Sequence, residues 1–178
     1  MFEIANTCLV IVDVQGKLAE LIYDKESLFN NISILIKASK ILEIPILFCQ
    51  QNPTALGATV PQIAELLDSQ PIDKFSFSCF LNEDFKKNLN SLFRKKVILC
   101  GIETHICIYQ TAIDLNQNGF AVSVVADAVS SRTLANKQIA LARLAKADID
   151  ISSVEMILFE LLRTAKHPNF KEISKLVK

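Results

Sequence analysis

The sequence has few glycines and no glycine-rich loop. Only four glycines occur in 178 residues, and neither G-x-G-x-x-G nor G-x-x-x-x-G-K-[ST] is present. Such loops bring backbone amides close to a phosphate group. The chain therefore lacks the phosphate-binding loop of the common nucleotide-binding proteins.

An excess of charge is also missing. Lys and Arg number 19, Asp and Glu number 19, and no basic run is interleaved with aromatic residues. This balance gives no electrostatic reason to expect nucleic acid or an anionic membrane as a partner. No run approaches the roughly 18 consecutive apolar residues of a membrane span. We expect a small-molecule substrate, with no nucleic acid and no membrane as partner.

The cysteines do not form a recognisable disulfide framework. There are five, an odd number, and no C-x-x-C pair occurs among Cys8, Cys49, Cys79, Cys100 and Cys107. This usage is typical of a reducing compartment. The start of the chain has no basic segment followed by an apolar stretch, as a signal peptide would. We expect a cytoplasmic protein.

The residues that are present indicate one compact α/β domain over 1–178. Hydrophobic residues make up 51% and charged residues 21% of the chain, which is a globular composition. Short β-branched runs alternate with helix-length segments, a pattern that predicts a three-layer α/β/α Rossmann-like fold with a six-stranded parallel sheet. The predicted strands are 7–13, 45–51, a short one at the start of 71–80, 96–101, 120–127 and 147–152. The predicted helices are 27–43, 61–68, 82–93, 105–118, 133–147 and a helical tail from 153.

In such a fold, ligands bind beyond the carboxyl ends of the strands. Asp13 follows five apolar residues at the end of the first strand, so it is paired, functional, or a cap of the next turn. Lys74 follows the third strand. It could extend along apolar neighbours to solvent, or be desolvated with a lowered pKa and hold an aspartate ionised. Gln15 and Gln51 also lie just past strand ends and are weaker pocket candidates.

Cys107 lies at the start of the helix after the fourth strand. With Thr104 as N-cap, Cys107 would be at N3, where its amide is free for a ligand and the helix dipole favours a thiolate. A Thr104 side chain bonded to that amide would compete for the same donor. A joint metal site with His105 is disfavoured, because residues two apart on a helix point to different sides. The residues alone leave open whether Cys107 is a nucleophile or a small buried hydrophobe.

Several stretches resemble the isochorismatase-like superfamily of cysteine hydrolases, which includes nicotinamidases. They are LVIVDVQ (9–15), the lysine of PIDKFSFS (71–78), VILCGIETHICIYQTAIDLNQNGF (97–120) and VSVVADAVSSR (122–132). Two more, QQNPTALGATVP (50–61) and HPNFKEI (167–173), are most similar to the isochorismatase domain-containing proteins of that superfamily. The resemblance covers most of the chain.

The resemblance implies a catalytic triad of Asp13, Lys74 and Cys107. It places a non-proline cis peptide at Ile102-Glu103 and an oxyanion hole at the backbone amides of Glu103 and Cys107. The implied activity is cleavage of a C–N (amide-type) bond of a small molecule through a cysteine thioester. It also implies a homo-oligomer. The apolar segment at 154–162 either contributes to the interface or packs on the sheet.

The sequence departs from the superfamily at two places. Nicotinamidases bind a divalent metal through histidines and an aspartate after the second strand, whereas QQNPTALG at 50–57 has no histidine or carboxylate. We therefore expect a metal-independent hydrolase with no cofactor. Leu18 also stands where the superfamily usually has phenylalanine. The alternative function is a non-hydrolytic, thiol-reactive or redox-sensing protein on the same fold.

Overall fold

The computed structural model describes residues 1–178 and has a six-stranded sheet whose order is β3-β2-β1-β4-β5-β6. All neighbouring strands are parallel. The strands are β1 (Thr7–Val12), β2 (Ile46–Gln51), β3 (Ile72–Lys74), β4 (Lys96–Ile102), β5 (Ala121–Ser130) and β6 (Asp150–Ser152). The predicted α/β/α fold with a parallel sheet is confirmed.

Nine α-helices cover the sheet. They are α1 (Gly16–Glu20), α2 (Lys25–Ile41), α3 (Pro53–Leu56), α4 (Pro61–Ala64), α5 (Glu83–Ser91), α6 (Tyr109–Gln117), α7 (Leu134–Lys146), α8 (Val154–Leu162) and α9 (Phe170–Leu176). The sequence did not predict α1 and α3, because one turn is too short to show helical periodicity. None of the helices is both long and apolar enough to cross a bilayer.

The sheet is buried on both faces. Every residue of β1 is buried, and alternate residues belong to different cores. Leu9 and Ile11 pack in a core with α2 and α8, whereas Cys8 and Val10 pack in a core with α5 and α6. This arrangement explains why the sequence of β1 is continuously apolar.

The strand order reverses at β1, which lies between β2 and β4. The carboxyl ends of these strands therefore form the crevice where ligands bind in such folds. Gly101 lets β4 approach β1 at this edge: its φ is +119°, and a Cβ there would be 2.1 Å from the Val12 carbonyl oxygen. A side chain at position 101 would push these two strands apart directly beside the crevice.

Candidate active site

A buried ion pair joins the ends of β1 and β3. Lys74 Nζ lies 2.7 Å from Asp13 Oδ2, with the lysine side chain 0% and the aspartate side chain 3% exposed. Asp13 turns out of β1 with a left-handed backbone, φ +53°. The two residues are far apart in sequence, and the parallel sheet brings them to one edge.

The Lys74 ammonium group is fully hydrogen-bonded. Besides Asp13, it donates to Gln51 Oε1 at 2.8 Å and to the carbonyl oxygens of Ser76 and Phe77 at 3.2 Å each. Gln51 is held beside Lys74 because these two residues pair across β2 and β3. The lysine does not extend to solvent, and it has no free proton to offer a ligand.

The charge of Lys74 is retained. Burial by itself lowers the pKa of Lys74, but its electrostatic interactions with Cys79, Asp13 and Cys107 and its hydrogen bond to Asp13 raise it above its ordinary value. The pKa of Lys74 is therefore not lowered, although desolvation alone would lower it. Lys74 acts in this site as a fixed positive charge.

Asp13 has one occupied and one unoccupied oxygen. Oδ2 accepts from Lys74, whereas Oδ1 is buried and has no hydrogen-bond partner. Burial raises the pKa of Asp13, and Lys74 and Cys107 oppose that rise. A buried carboxylate oxygen without a partner is unfavourable unless a proton or a ligand reaches it. Oδ1 is thus the acceptor in this site that is available for a proton.

The segment from Thr104 to Ile108 forms a π-helical turn before α6. The Glu103 carbonyl oxygen accepts from the amides of Ile106 at 3.1 Å and Ile108 at 3.3 Å. Thr104 Oγ1 is buried without a hydrogen-bond partner. The predicted N-cap role of Thr104 is therefore wrong, and its hydroxyl does not compete for the amide of Cys107.

The thiol of Cys107 is protonated in the resting site. Burial raises the pKa of Cys107, the Asp13 carboxylate raises it further, and Lys74 opposes both. The expected lowering of this pKa at a helix start is not the outcome, because burial and the Asp13 carboxylate outweigh the effects that lower it. Burial also raises the pKa of Cys8, to about 12, so this property does not distinguish Cys107. What distinguishes it is its position in the wall of a cavity.

Glu103 joins the site through its backbone. The Ile102-Glu103 peptide bond is cis, at the position that the resemblance predicts. The buried Glu103 carboxylate accepts from the backbone amide of Arg132 at 2.9 Å and from its Nε at 3.1 Å. The amide of Glu103 has no acceptor within the protein. Sequence reasoning missed Arg132; its position after a strand, in VSSR, was the available signal.

A cavity of about 170 Å³ opens onto these groups. Asp13, Cys107 and Glu103 lie in its wall. Two glutamines also line the cavity. The rest of its surface is formed by apolar side chains, those of Leu18, Leu56, Phe77, Ile102 and Ile106. The protein therefore combines a thiol, a carboxylate with a free oxygen and an unpaired backbone amide in one small apolar cavity.

The model of the isochorismatase domain matches residues 7–156 of the chain. The chain belongs to the isochorismatase family. Every residue of the site described above lies within these matched residues.

Relatives within the isochorismatase family match nearly the whole chain. Isochorismatase domain-containing protein 2 of Danio rerio is 42% identical, covering 97% of this chain and 87% of that protein. The secreted isochorismatase effector Isc1 of Phytophthora sojae is 38% identical, covering 97% and 85%. The solved structure of MAR1 ribonuclease from Caenorhabditis elegans has a TM-score of 0.92 and 35% identity, covering 99% of this chain and 91% of that one.

In this family member, Gln15 and Gln51 border the cavity, but their amides are engaged inside the protein. Gln15 Nε2 donates to the carbonyl oxygens of Gln51 at 2.9 Å and Gly57 at 2.7 Å, while its Oε1 accepts from the Gln51 amide at 2.6 Å. Gln51 Oε1 accepts from Lys74, and its Nε2 donates to the Phe75 carbonyl oxygen. Both side chains hold strand ends and loops in position.

The residues considered as metal ligands are not assembled. No group of three or more His, Cys, Asp and Glu side chains is arranged to hold a metal ion. His105 Nδ1 lies 3.0 Å from Ser131 Oγ. His105 therefore contacts the loop after β5, whereas Cys107 lies in the cavity wall, which does not include His105.

Proposed function

We propose that this isochorismatase-family hydrolase cleaves a C–N (amide-type) bond of a small molecule through a thioester on Cys107. The observation that carries the proposal is the convergence of Asp13, Lys74 and Cys107 at the carboxyl edge of the sheet, with the thiol in the wall of a cavity. Family membership supports hydrolysis in general, and these side chains support the cysteine route in particular.

The first half of the proposed reaction breaks the C–N bond. Asp13 Oδ1 accepts the thiol proton while Cys107 Sγ attacks the carbonyl carbon, so that a C–S bond forms and the carbonyl oxygen becomes an oxyanion. Asp13 then gives its proton to the nitrogen as the C–N bond breaks. The amine leaves, and the acyl group remains on sulfur as a thioester.

The second half restores the enzyme. Asp13 takes a proton from water, and the resulting hydroxide oxygen attacks the thioester carbon. The C–S bond breaks, the acid product leaves, and Asp13 returns the proton to Cys107. No cofactor is required, because the proton and the acyl group are both held by side chains of the site.

The proposed oxyanion hole is formed by the amides of Glu103 and Cys107. The Glu103 amide has no acceptor of its own, and the Arg132 contacts hold this residue in place. A donor of this kind contributes roughly 3 to 4 kcal/mol to transition-state stabilisation. Lys74 keeps Asp13 ionised in a cavity that would otherwise favour its neutral form.

Two other functions have less support. The C. elegans neighbour is a ribonuclease by name, but no Lys, Arg or His side chain lines this cavity to meet a phosphodiester. A redox sensor needs a solvent-accessible thiol, whereas Cys107 is only 7% exposed. The geometry therefore favours the amide hydrolase over both.

We also propose a homo-oligomer in the cytoplasm. Phe75, Phe77 and Leu81, which are close together in the chain, are 78%, 55% and 62% exposed, and exposed apolar side chains that form one patch mark interaction surfaces. The apolar segment 154–162 gives less support than expected, because most of α8 packs on the sheet. Light scattering after gel filtration tests the assembly, and fractionation of the native cells tests the compartment.

The test of the proposed activity is a panel of small amides, carbamoyl compounds and ureides assayed for release of ammonia or amine. Cys107→Ala should abolish release, since it removes the nucleophile. Cys8→Ala is the matched control, because Cys8 is also buried but lies outside the cavity. Full turnover by Cys107→Ala on any hydrolysed substrate would refute the cysteine route.

A further inference from the structure

One side of the cavity is formed by a short segment that lies on the protein surface. This segment, residues 53–58, consists of α3 and the two residues after it, and we call it the strap. Residues 54–58 of the strap are exposed, yet Leu56 forms part of the cavity wall and is itself 38% exposed. Burial therefore does little to fix the position of Leu56, which depends on what holds the strap.

The Gln15 side chain holds the chain at both ends of the strap. Its Oε1 accepts from the Gln51 amide at 2.6 Å, and its Nε2 donates to the carbonyl oxygens of Gln51 at 2.9 Å and Gly57 at 2.7 Å. Gln51 precedes the strap, and Gly57 lies near its end. Gln15 is 0% exposed, so water cannot easily replace these bonds. Because all three bonds are to backbone groups, they fix the path of the chain.

The residue after Gln15 brings the strap close to α1. The Gly16 amide donates to the Ala58 carbonyl oxygen at 3.0 Å. Gly16 has a φ of +52°, and a Cβ there would be 1.6 Å from the Leu56 carbonyl oxygen, so this approach requires glycine. Because α1 also carries Leu18, another residue of the cavity wall, the contact between the strap and α1 affects the width of the cavity.

We propose that Gln15 is a positioning residue that limits the size of the group accepted beside Cys107. By binding the backbone on both sides of Leu56, its amide holds the strap near α1 and keeps the cavity at about 170 Å³. A strap that moved away from α1 would widen the cavity without altering any reacting group. The inference rests on the proposed function only in taking Cys107 as the residue that meets the substrate.

The test measures alkylation of Cys107 by iodoacetamide and by the larger N-benzyliodoacetamide, each relative to its rate with free cysteine. The ratio of the two rates, small reagent over large, is independent of the thiol pKa, because both reagents need the same thiolate. Gln15→Met keeps most of the side-chain volume and removes all three bonds. The ratio should fall by at least about tenfold in this variant, the discrimination that a hydrophobic pocket achieves for roughly one methylene group. An unchanged ratio would overturn the inference.

Gln50→Met is the matched control. Gln50 is also buried, and its side chain makes three bonds, one to the Asp73 carboxylate and two with the amide and hydroxyl of Thr59, but it does not line the cavity. Gln50→Met should leave the ratio unchanged. An equal fall in Gln50→Met would overturn the inference, and so would a fall that appears only together with alkylation of the buried Cys8, because loosening or unfolding would then explain it.

A second variant moves the strap while Gln15 stays in place. Gly16→Ala puts a Cβ where the Leu56 carbonyl oxygen lies, so it should lower the ratio in the same way, and it decides the question if Gln15→Met does not fold. An unchanged ratio in folded Gly16→Ala would overturn the inference. Because alkylation needs no hydrolysis, a lowered ratio in a protein that cleaves no amide would refute the proposed function and leave the role of Gln15 standing.

Discussion

Replacing Lys74 with methionine should destabilise the protein far more than the loss of one ion pair on the surface. Lys74→Met keeps most of the side-chain volume but leaves the Asp13 carboxylate buried without a counter-charge, and it leaves Gln51 Oε1 without its donor. Removing one member of a buried pair destabilises by about 3–5 kcal/mol. With roughly 1–3 kcal/mol per molar urea as the denaturant dependence of small proteins, the unfolding midpoint should fall by at least about 1 M.

The chain contains a matched control for this substitution. Lys40 pairs with Asp68 at the same 2.7 Å distance, but the two side chains are 41% and 85% exposed. Lys40→Met should change the unfolding free energy by less than about 1 kcal/mol, because solvent screens surface pairs. Equal effects of Lys40→Met and Lys74→Met would refute the argument from burial.

A double-mutant cycle identifies the cause. Asp13→Asn removes the buried negative charge, so adding it to Lys74→Met should recover part of the lost stability. Residues in contact within one network show coupling energies of roughly 0.5–3 kcal/mol, and we expect this pair near the upper end. If the two substitutions are additive, the loss in Lys74→Met comes from packing and not from the uncompensated carboxylate.

Three further outcomes are expected. Gly101→Ala should destabilise the protein by at least about 3 kcal/mol in urea unfolding, because its Cβ would be 2.1 Å from the Val12 carbonyl oxygen. In the control Gly119→Ala, the new Cβ meets nothing within 4 Å, and the loss of unfolding free energy should be only about 1–2 kcal/mol. Similar losses of stability in the two variants would contradict the close approach of β4 to β1. Since Asp13 must be ionised to act as base and its pKa is raised, kcat/KM should rise with pH above the range of an ordinary aspartate, near 3.9; a rise at or below that value would exclude Asp13 as the titrating base. Alkylation of Cys107 by iodoacetamide, followed by mass spectrometry, should be slower at neutral pH than that of a free cysteine, because burial raises the pKa of Cys107. Its rate should still increase at about pH 10, where a free thiol with a pKa of about 8.5 has levelled off; a plateau below pH 8 would contradict a protonated resting thiol.

The sequence was sufficient to predict the parallel sheet and the strand ends that form the crevice. Asp13 and Lys74 were identifiable because a charged residue next to a buried strand is unfavourable without a partner. That each is the partner of the other is a result of tertiary structure: the strand order β3-β2-β1 brings them to one edge. No local pattern in the sequence encodes that order.

The turn around Cys107 was less predictable. Thr104 has the right residue type for an N-cap, but the chain enters a π-helical turn and leaves its hydroxyl unpaired. Arg132 could not be connected with Glu103 from their positions in the sequence, because the contact crosses from β4 to the loop after β5. The Arg132 contact depends on how β4 and β5 are paired, with a register shift between Leu99 and Gly101.

The pKa values of Asp13 and Cys107 are both raised, and this is consistent with the proposed chemistry, in which the two side chains share a single negative charge. In the resting site, Lys74 balances the Asp13 carboxylate, and a thiolate would add an uncompensated second negative charge to an apolar cavity. Transfer of the proton from Cys107 to Asp13 moves the negative charge to sulfur, and attack on the carbonyl moves it to the oxyanion. At each stage the site carries one positive and one negative charge. A permanently ionised thiol would break that balance, so burial that keeps Cys107 neutral until a substrate is present is compatible with its role as the nucleophile.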